Sequence, residues 1–143
     1  MYKHTQIGWI VLISLVGAIL LTGYLGILYP NWTALSVFVI LVICIVLFAN
    51  LTVIGDDNSV ELRFGPGLVK KKFIFKEIES CKIVRNHWWY GWGIRKIPKG
   101  WLFNVSGLNA VELSMKNGKV YRIGTDDPQK LSEFIQRKLS EQK

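Results

Sequence analysis

The residues with the clearest binding chemistry lie together between His87 and Trp101, in the stretch HWWYGWGIRKIPKGW. Four of the six tryptophans of the chain occur here, interleaved with basic residues. Indole rings favour the headgroup level of a membrane, Lys and Arg attract anionic lipid, and Trp and Arg also dominate protein interfaces. The stretch therefore predicts a surface that binds lipid or a protein partner, with these candidate residues: Trp88, Trp89, Trp92, Arg95, Lys96 and Lys99.

A structural interpretation of the same stretch stays open. Trp101 continues an alternating pattern with Phe103 and Val105, which predicts a core position for its ring. The other indoles could fill the open edge of a small domain, and Gly91 and Gly93 would permit a tight turn. Core packing, docking on a bilayer and docking of a protein partner are the three alternatives.

Residue types suited to catalysis or metal binding are sparse. The two cysteines and two histidines show no zinc-ligand spacing. Gly91 and Gly93 do not extend into a dinucleotide-binding loop, because Lys96 stands where a third glycine is required. The adjacent carboxylates Asp56-Asp57 and Asp126-Asp127 would point to opposite faces of a strand. We therefore predict a protein that is not an enzyme, with no catalytic site, metal or cofactor.

Charge divides the chain into two unlike parts. Residues 7–54 contain no charged side chain, whereas residues 55–143 hold all ten acidic residues and seventeen of the eighteen Lys and Arg, a net charge of +7. Basic and aromatic residues together also suit a platform for single-stranded nucleic acid. Because membrane-proximal segments on the cytoplasmic side are ordinarily basic, we do not expect nucleic acid as a partner.

The uncharged part predicts two membrane-spanning helices. A bilayer core of about 30 Å requires roughly 20 apolar residues, and residues 7–29 and 33–53 each supply such a run. Only Pro30, Asn31 and Trp32 separate the runs, so the chain must turn back at once. A cleaved signal peptide is the alternative for the first run, but that run is long and leads directly into the second.

The flanking charges predict the orientation of this helical hairpin. The connecting turn contains no Lys or Arg, whereas Lys3 precedes the first run and five basic residues follow the second within 22 residues of Ile54. Since cytoplasmic flanks carry the excess of Lys and Arg, both termini are predicted to be cytoplasmic. The five basic residues are Arg63, Lys70, Lys71, Lys72 and Lys76.

Four small residues recur at intervals of four in the first run, on one face of a helix. Small faces let helices approach closely. The face therefore predicts helix packing, either against the second helix of the same hairpin or between copies of the chain. Its members are Ser14, Ala18, Thr22 and Gly26.

Residues 55–143 read as strands followed by one helix. Apolar and polar residues alternate from Val60 to Phe64 and again from Val111 to Lys116, and Asn117-Gly118 is a strong hairpin signal. Lys71 interrupts the apolar face of residues 68–75, which predicts a bulge or an edge strand. Residues 128–141 change to a helical period, with Asp127 as the N-cap.

Several short motifs in this part are similar to those of one protein family. GWGIR at 91–95, GWLFNVSGLNAVEL at 100–113, NGK at 117–119 and RIGTDDP at 122–128 together resemble small bacterial membrane proteins with a pleckstrin-homology-like domain. The resemblance implies two nearly orthogonal antiparallel β-sheets closed by a C-terminal α-helix, in the bacterial cytoplasmic (inner) membrane. Eukaryotic relatives bind phosphoinositides at the first strand turn, for which Lys70 and Lys72 would be the nearest equivalents.

The sequence thus predicts an anchor of two transmembrane helices in residues 1–54 and a cytoplasmic domain in residues 55–143. The functional hypothesis is a membrane-anchored, non-catalytic binding module that presents the domain to anionic lipid headgroups or a protein partner. The alternative is an accessory or scaffolding subunit of a membrane protein complex, or a homo-oligomer, in which the aromatic stretch is mainly structural.

Overall fold

The computed structural model describes residues 1–142, in which nine β-strands and three α-helices are formed. Two strands flank the helical hairpin, seven more follow it, and one helix ends the described chain. The elements are β1 (Tyr2–Ile7), α1 (Trp9–Leu28), α2 (Trp32–Phe48), β2 (Asn50–Gly55), β3 (Ser59–Phe64), β4 (Val69–Ile74), β5 (Ile78–Arg85), β6 (Gly93–Ile97), β7 (Gly100–Asn104), β8 (Asn109–Met115), β9 (Val120–Gly124) and α3 (Pro128–Glu141).

The helical hairpin is inserted into a β-hairpin. Strands β1 and β2 pair antiparallel, with Ile7 opposite Asn50, and the Gly8 amide then donates to the Ala49 carbonyl at 2.8 Å. Helix α1 begins at the next residue, and α2 ends at Phe48. The two helices therefore stand where a short turn would otherwise join β1 to β2.

This arrangement moves the boundary predicted between residues 54 and 55. Residues 50–53, assigned from sequence to the second span, lie in β2, and residues 2–7 form β1 of the same sheet. Apolarity alone does not separate a membrane helix from a core strand. Leu51 and Val53 are apolar because they are buried inside the β domain.

The helices differ in length. Helix α1 has 20 residues and is long and apolar enough to cross a membrane, whereas α2 has 17 and is shorter than that measure requires. None of the side chains of either helix is fully buried within the protein. The Asn31 side chain caps α2 by accepting from the Ala34 amide at 2.7 Å, so the helix starts directly after the connecting turn.

The first sheet is an antiparallel meander in the order β1-β2-β3-β4. Strand β4 pairs with β3 without a register shift and has no second neighbour among the described strands, so the edge alternative for Lys71 is confirmed. The Lys71 ammonium lies 5.6 Å from the centre of the Tyr121 ring. A charged side chain is tolerated here because it extends over aromatic faces at the opening between the sheets.

The second sheet has the order β5-β8-β9-β7-β6 and is mixed. Strand β7 runs parallel to β9, with Phe103 opposite Ile123, so the prediction of two purely antiparallel sheets is wrong for this pair. The reason is that the β6–β7 hairpin is inserted between β5 and β8. It returns to the sheet on the free side of β9, where the Lys99 carbonyl accepts from the Val120 amide at 3.0 Å.

Helix α3 closes the domain, as predicted, and spans the predicted residues 128–141. Asp127 caps it, with Oδ1 accepting from the Lys130 amide at 3.3 Å. Its buried stripe packs against the core between the two sheets, which buries apolar surface from both. The largest fully buried side chains of this core include Phe64, Phe73, Phe75, Leu113, Ile123, Leu131 and Ile135.

The turn between β3 and β4 is pressed against the end of α2. Gly65 has a φ of +52°, and a Cβ added to it would collide with the Val46 carbonyl oxygen and lie 2.9 Å from that of Leu47. Gly118, in the β8–β9 turn, has a φ of +83° with nothing within 4 Å of the same added atom. The two glycines thus share a left-handed backbone but differ in surroundings.

We expect Gly65→Ala to lower the stability of the detergent-solubilised protein more than Gly118→Ala. Each substitution carries a conformational cost of about 1–2 kcal/mol for a Cβ in the left-handed region, and only Gly65→Ala adds an overpacking cost of about 1–3 kcal/mol. Thermal unfolding followed by circular dichroism measures the difference. Equal losses in the two variants would show that the turn does not press on α2.

Candidate functional site

One end of the β domain carries the helical hairpin, and we call it the helix-proximal end. The loop between β7 and β8 contacts the base of the hairpin there. The Gln6 side-chain amide donates to the Ser106 carbonyl at 2.9 Å, and a Cβ added to Gly8 would lie 3.1 Å from Cβ of Val105. By strand pairing, β5, β7 and β9 end on this side of the second sheet, and β6 and β8 begin there.

Residues 86–92, the aromatic segment, join β5 to β6 at this end. The Asn86 amide donates to the Leu108 carbonyl at 2.7 Å, and Trp92 Nε1 donates to the Gly107 carbonyl at 3.1 Å. A single 3₁₀ turn, Trp88–Tyr90, lies between these attachments. Both ends of the segment are therefore tied to the loop that contacts the base of α1.

The tips of the segment are exposed. Trp88 is 72% exposed and Trp89 is 62% exposed. His87 stacks on Trp89 with ring centres 4.2 Å apart and planes at 4°, and Trp88 stands nearly perpendicular to Trp89 at 6.0 Å. The core-packing alternative therefore does not describe these two indoles, which hold each other in place but leave much of their apolar surface uncovered.

A buried polar network lies beneath the segment, on the outer face of the second sheet. Arg122 Nε donates to Glu112 Oε2 at 2.7 Å, and its Nη1 donates to Asn86 Oδ1 at 3.2 Å. The Arg122 guanidinium also lies 6.0 Å from the centre of the Tyr90 ring. Lys82 Nζ reaches the other Glu112 oxygen at 3.1 Å. The network fixes the segment to the sheet at two of its residues.

Sequence reasoning missed this network, although one signal for it was present. Glu112 alternates with the buried Val111 and Leu113, so it must point to the outer face, and it is nonetheless buried. A carboxylate there needs a cationic partner on the neighbouring strand, and Arg122 of β9 stands directly opposite. Burial by itself raises the pKa of Glu112, but hydrogen bonds from Arg122 and Lys82 outweigh it and hold that pKa below its ordinary value.

The basic candidates do not gather around the indoles. Arg95, on β6, is the exception, because its Nε donates to the Trp92 carbonyl at 3.1 Å and its side chain lies against the aromatic segment. Lys96 pairs with Trp101 farther along β6, and Lys99 lies in the turn after Ile97. At about 3.3 Å per residue, Lys99 is more than about 13 Å from the start of β6, at the opposite end of the sheet. The six residues therefore do not form one site.

Trp101 departs from its predicted core position. It is 43% exposed, whereas Phe103 and Val105, on the same predicted face, are buried. Trp101 lies near the end of the sheet that is remote from the helices, opposite Tyr121, which is itself only partly buried.

The turn before Lys70 and Lys72 is not the first of the domain. Gly65-Pro66-Gly67 joins the third strand to the fourth, and the helical hairpin occupies the first strand junction. Strand β1 precedes the apolar runs and is not apparent from sequence, and the lipid-binding role that the family resemblance implies for the two lysines stays a prediction.

The small-residue face of α1 is directed mostly towards α2. Ala18, Thr22 and Gly26 are half-buried, and a Cβ added to Gly26 would lie 3.7 Å from Cβ of Ala34. Ser14 is exposed, and its hydroxyl donates to the Ile10 carbonyl at 2.8 Å. A groove of about 490 Å³ lies beside this contact, near the connecting turn, and is lined partly by Thr22, Gly26 and Phe38.

Comparisons with known proteins do not assign this chain to a group. No protein-family model, no curated protein and no solved structure matches it. Within residues 1–142, no three His, Cys, Asp or Glu side chains come together in a way that could hold a metal ion. The described surface presents exposed indoles and basic side chains, Trp88, Trp89 and Arg95 among them.

The buried network predicts a pH dependence. Because the pKa of Glu112 is lower in the folded than in the unfolded chain, its interaction stabilises the fold above the ordinary carboxyl value of about 4.3, and this contribution is lost as the pH falls through the lowered pKa. We expect the unfolding midpoint to fall on acidification below about pH 4.3, and Glu112→Gln to weaken that dependence. Thermal unfolding at several pH values measures it.

Glu79→Gln is the matched control, because Glu79 is an exposed carboxylate on the adjacent strand β5. This variant should keep the pH dependence of the parent protein. A Glu112→Gln profile that coincides with those of the parent and of the control would contradict the role given to the network.

Proposed function

We propose that this chain is a membrane-anchored, non-catalytic binding module with a pleckstrin-homology-like β domain, held against anionic lipid headgroups on the cytoplasmic face of a bacterial inner membrane. The observation that carries the proposal is the position of Trp88 and Trp89. Both indoles are largely exposed, and their segment is tied to the loop at the base of α1. Exposed indoles at that level match the preference of Trp for the membrane interface.

The β1–β2 ladder supports a two-span anchor. Gly8 and Ala49 are hydrogen-bonded, so the start of α1 and the end of α2 lie side by side. If α1 crosses, with a length of about 30 Å, α2 has to cross back. Its 17 residues extend only about 25 Å, a mismatch that local thinning of the bilayer can accommodate. Both termini then lie on one side, which the basic flanks indicate is cytoplasmic.

Charge supports an anionic partner at the same end. Arg85 is exposed at the last position of β5, next to the aromatic segment. A basic residue near an anionic leaflet contributes about 1 kcal/mol. Two helices already hold the chain in the bilayer, so this energy serves to orient the domain and to select headgroups. It is not needed for recruitment.

The alternative of an accessory subunit or homo-oligomer loses one of the observations that supported it. Ala18, Thr22 and Gly26 are half-buried in the hairpin, with Gly26 close to Ala34, which supports packing within one chain over association between copies. A protein partner for the exposed indoles remains the second candidate function. The two candidates are distinguished by whether the indoles contact the bilayer when the purified protein is placed in lipid without any other protein.

Fluorine NMR of the full chain labelled with 5-fluorotryptophan tests the lipid proposal. Each of the six indole signals is assigned by its loss in one Trp→Phe variant, and paramagnetic lipid is then added to bicelles. We expect Trp88 and Trp89 to relax nearly as fast as Trp9 at the start of α1. Trp101, on the end of the sheet away from the helices, is the internal control and should be little affected.

A second arm tests the preference for anionic lipid. Phosphatidylglycerol in place of a zwitterionic lipid should enhance the relaxation of Trp88 and Trp89. Arg85→Gln should remove part of that enhancement, about a five-fold loss in apparent lipid affinity if the charge is worth about 1 kcal/mol. Lys99→Gln, at the opposite end of the sheet, should not. Relaxation of Trp88 and Trp89 as slow as that of Trp101 in every lipid would refute the proposal.

A further inference from the structure

The turn between β3 and β4 lies beside the last turn of α2. The Gly65 amide donates to the Asn50 carbonyl at 3.0 Å, and its Cα faces the carbonyl oxygens of Val46 and Leu47. Val46 precedes the end of α2 by two residues, or about 3 Å along the helix axis. The turn therefore reaches past the end of the helix, into the level where a membrane interface would begin.

The tip of this turn is apolar. Leu68 is 76% exposed, and Pro66 is exposed beside it. A single exposed leucine ordinarily requires no explanation. This one stands on the turn that packs against the last residues of α2, a helix without charged residues.

Two cations flank the apolar tip. Arg63 and Lys70 stand opposite each other on β3 and β4, the second pair from the turn. Both side chains fold towards it, because a Cβ added to Gly67 would lie 3.4 Å from Lys70 Cε and 3.7 Å from Arg63 Cδ. Arg63 Nε also donates to Glu61 Oε1 at 2.5 Å, which holds the guanidinium on the outer face of the sheet.

An apolar tip between two cations fits the boundary between acyl chains and phosphates. We propose that this turn is a second membrane contact, in which Leu68 enters the interface and Arg63 and Lys70 bind the phosphodiester groups of phospholipids. The inference rests on the proposed function, since it requires the helices to cross the bilayer. It adds a contact beside α2 to the contact of the aromatic segment, which is tied to the base of α1.

Two contacts at separate helix bases would fix the tilt of the domain as well as its height. The hairpin and the domain, held by one contact, could still tilt together in the bilayer, whereas two contacts flanking the hairpin remove that freedom. The headgroup preference of the protein would then depend on both contacts, with the phosphate ligands on the first sheet and the indoles on the second.

A fluorescent label on Leu68→Cys tests the contact in the full-length protein, in nanodiscs that contain phosphatidylglycerol and shallow spin-labelled lipid. Cys44 and Cys81 are first replaced by alanine. The matched control is Ile74→Cys, at the far end of β4 and 42% exposed. We expect the label on Leu68 to be quenched at least three-fold more than the label on Ile74, and equal quenching would overturn the inference.

Pro66→Cys provides a second labelling site on the same turn, in case the Leu68 variant does not fold, and its label should be quenched in the same way. Arg63→Gln with Lys70→Gln should reduce the quenching in phosphatidylglycerol and not in zwitterionic lipid. Lys72→Gln, farther from the turn, should leave it unchanged. No effect of the double substitution would refute the role of the cations.

The outcome is separable from that of the proposed function. Lipid-induced relaxation of Trp88 and Trp89 with an unquenched label on Leu68 would refute only the second contact. A quenched label on Leu68 with unrelaxed indoles would refute the role given to the aromatic segment and leave the turn as the membrane contact.

Discussion

The hydrogen bond from Gly8 to Ala49 closes the ladder between β1 and β2 at the point where two apolar helices begin and end. Everything else about the placement of the β domain follows from this junction. No flexible linker separates the helices from the sheet, because α1 starts one residue after Gly8 and α2 ends one residue before Ala49. Backbone hydrogen bonds extend to the base of the hairpin, so the helices and the domain are expected to move as one body.

This junction decides which loops lie beside the bases of the two helices. The β7–β8 loop packs at the base of α1, and the β3–β4 turn packs at the end of α2. The aromatic segment is tied to the first of these loops and carries Trp88 and Trp89 outward. The Glu112–Arg122–Asn86 network beneath it replaces the apolar packing that usually holds a loop on a sheet. The buried Glu112 carboxylate is tolerated because both of its oxygens face cations, Arg122 Nε at 2.7 Å and Lys82 Nζ at 3.1 Å.

Sequence patterns recovered the elements that local chemistry determines and missed those that depend on distant pairing. The apolar helices, the alternating strands and the capped helix α3 were predictable from period and composition. Strand β1 was not, because its polar residues show no strand signal until they pair with β2. Lys3, for example, pairs with Ile54, 51 residues later in the chain. The Asn117-Gly118 hairpin was predicted, but Met115 pairs with Lys119, so its loop has three residues. A two-residue loop would have placed Glu112 opposite Ile123, and the actual register places it opposite Arg122.

Distance distributions from pulsed electron paramagnetic resonance test the rigid junction most directly. One spin label on Val39, exposed on α2, and one on Lys72, exposed on β4, report the geometry between helix and domain in nanodiscs. The continuous β1–β2 ladder predicts a single narrow distance distribution that is unchanged by lipid composition. A broad distribution, or one that changes when anionic lipid is removed, would contradict it, because the domain would then swing on a hinge that the ladder does not allow.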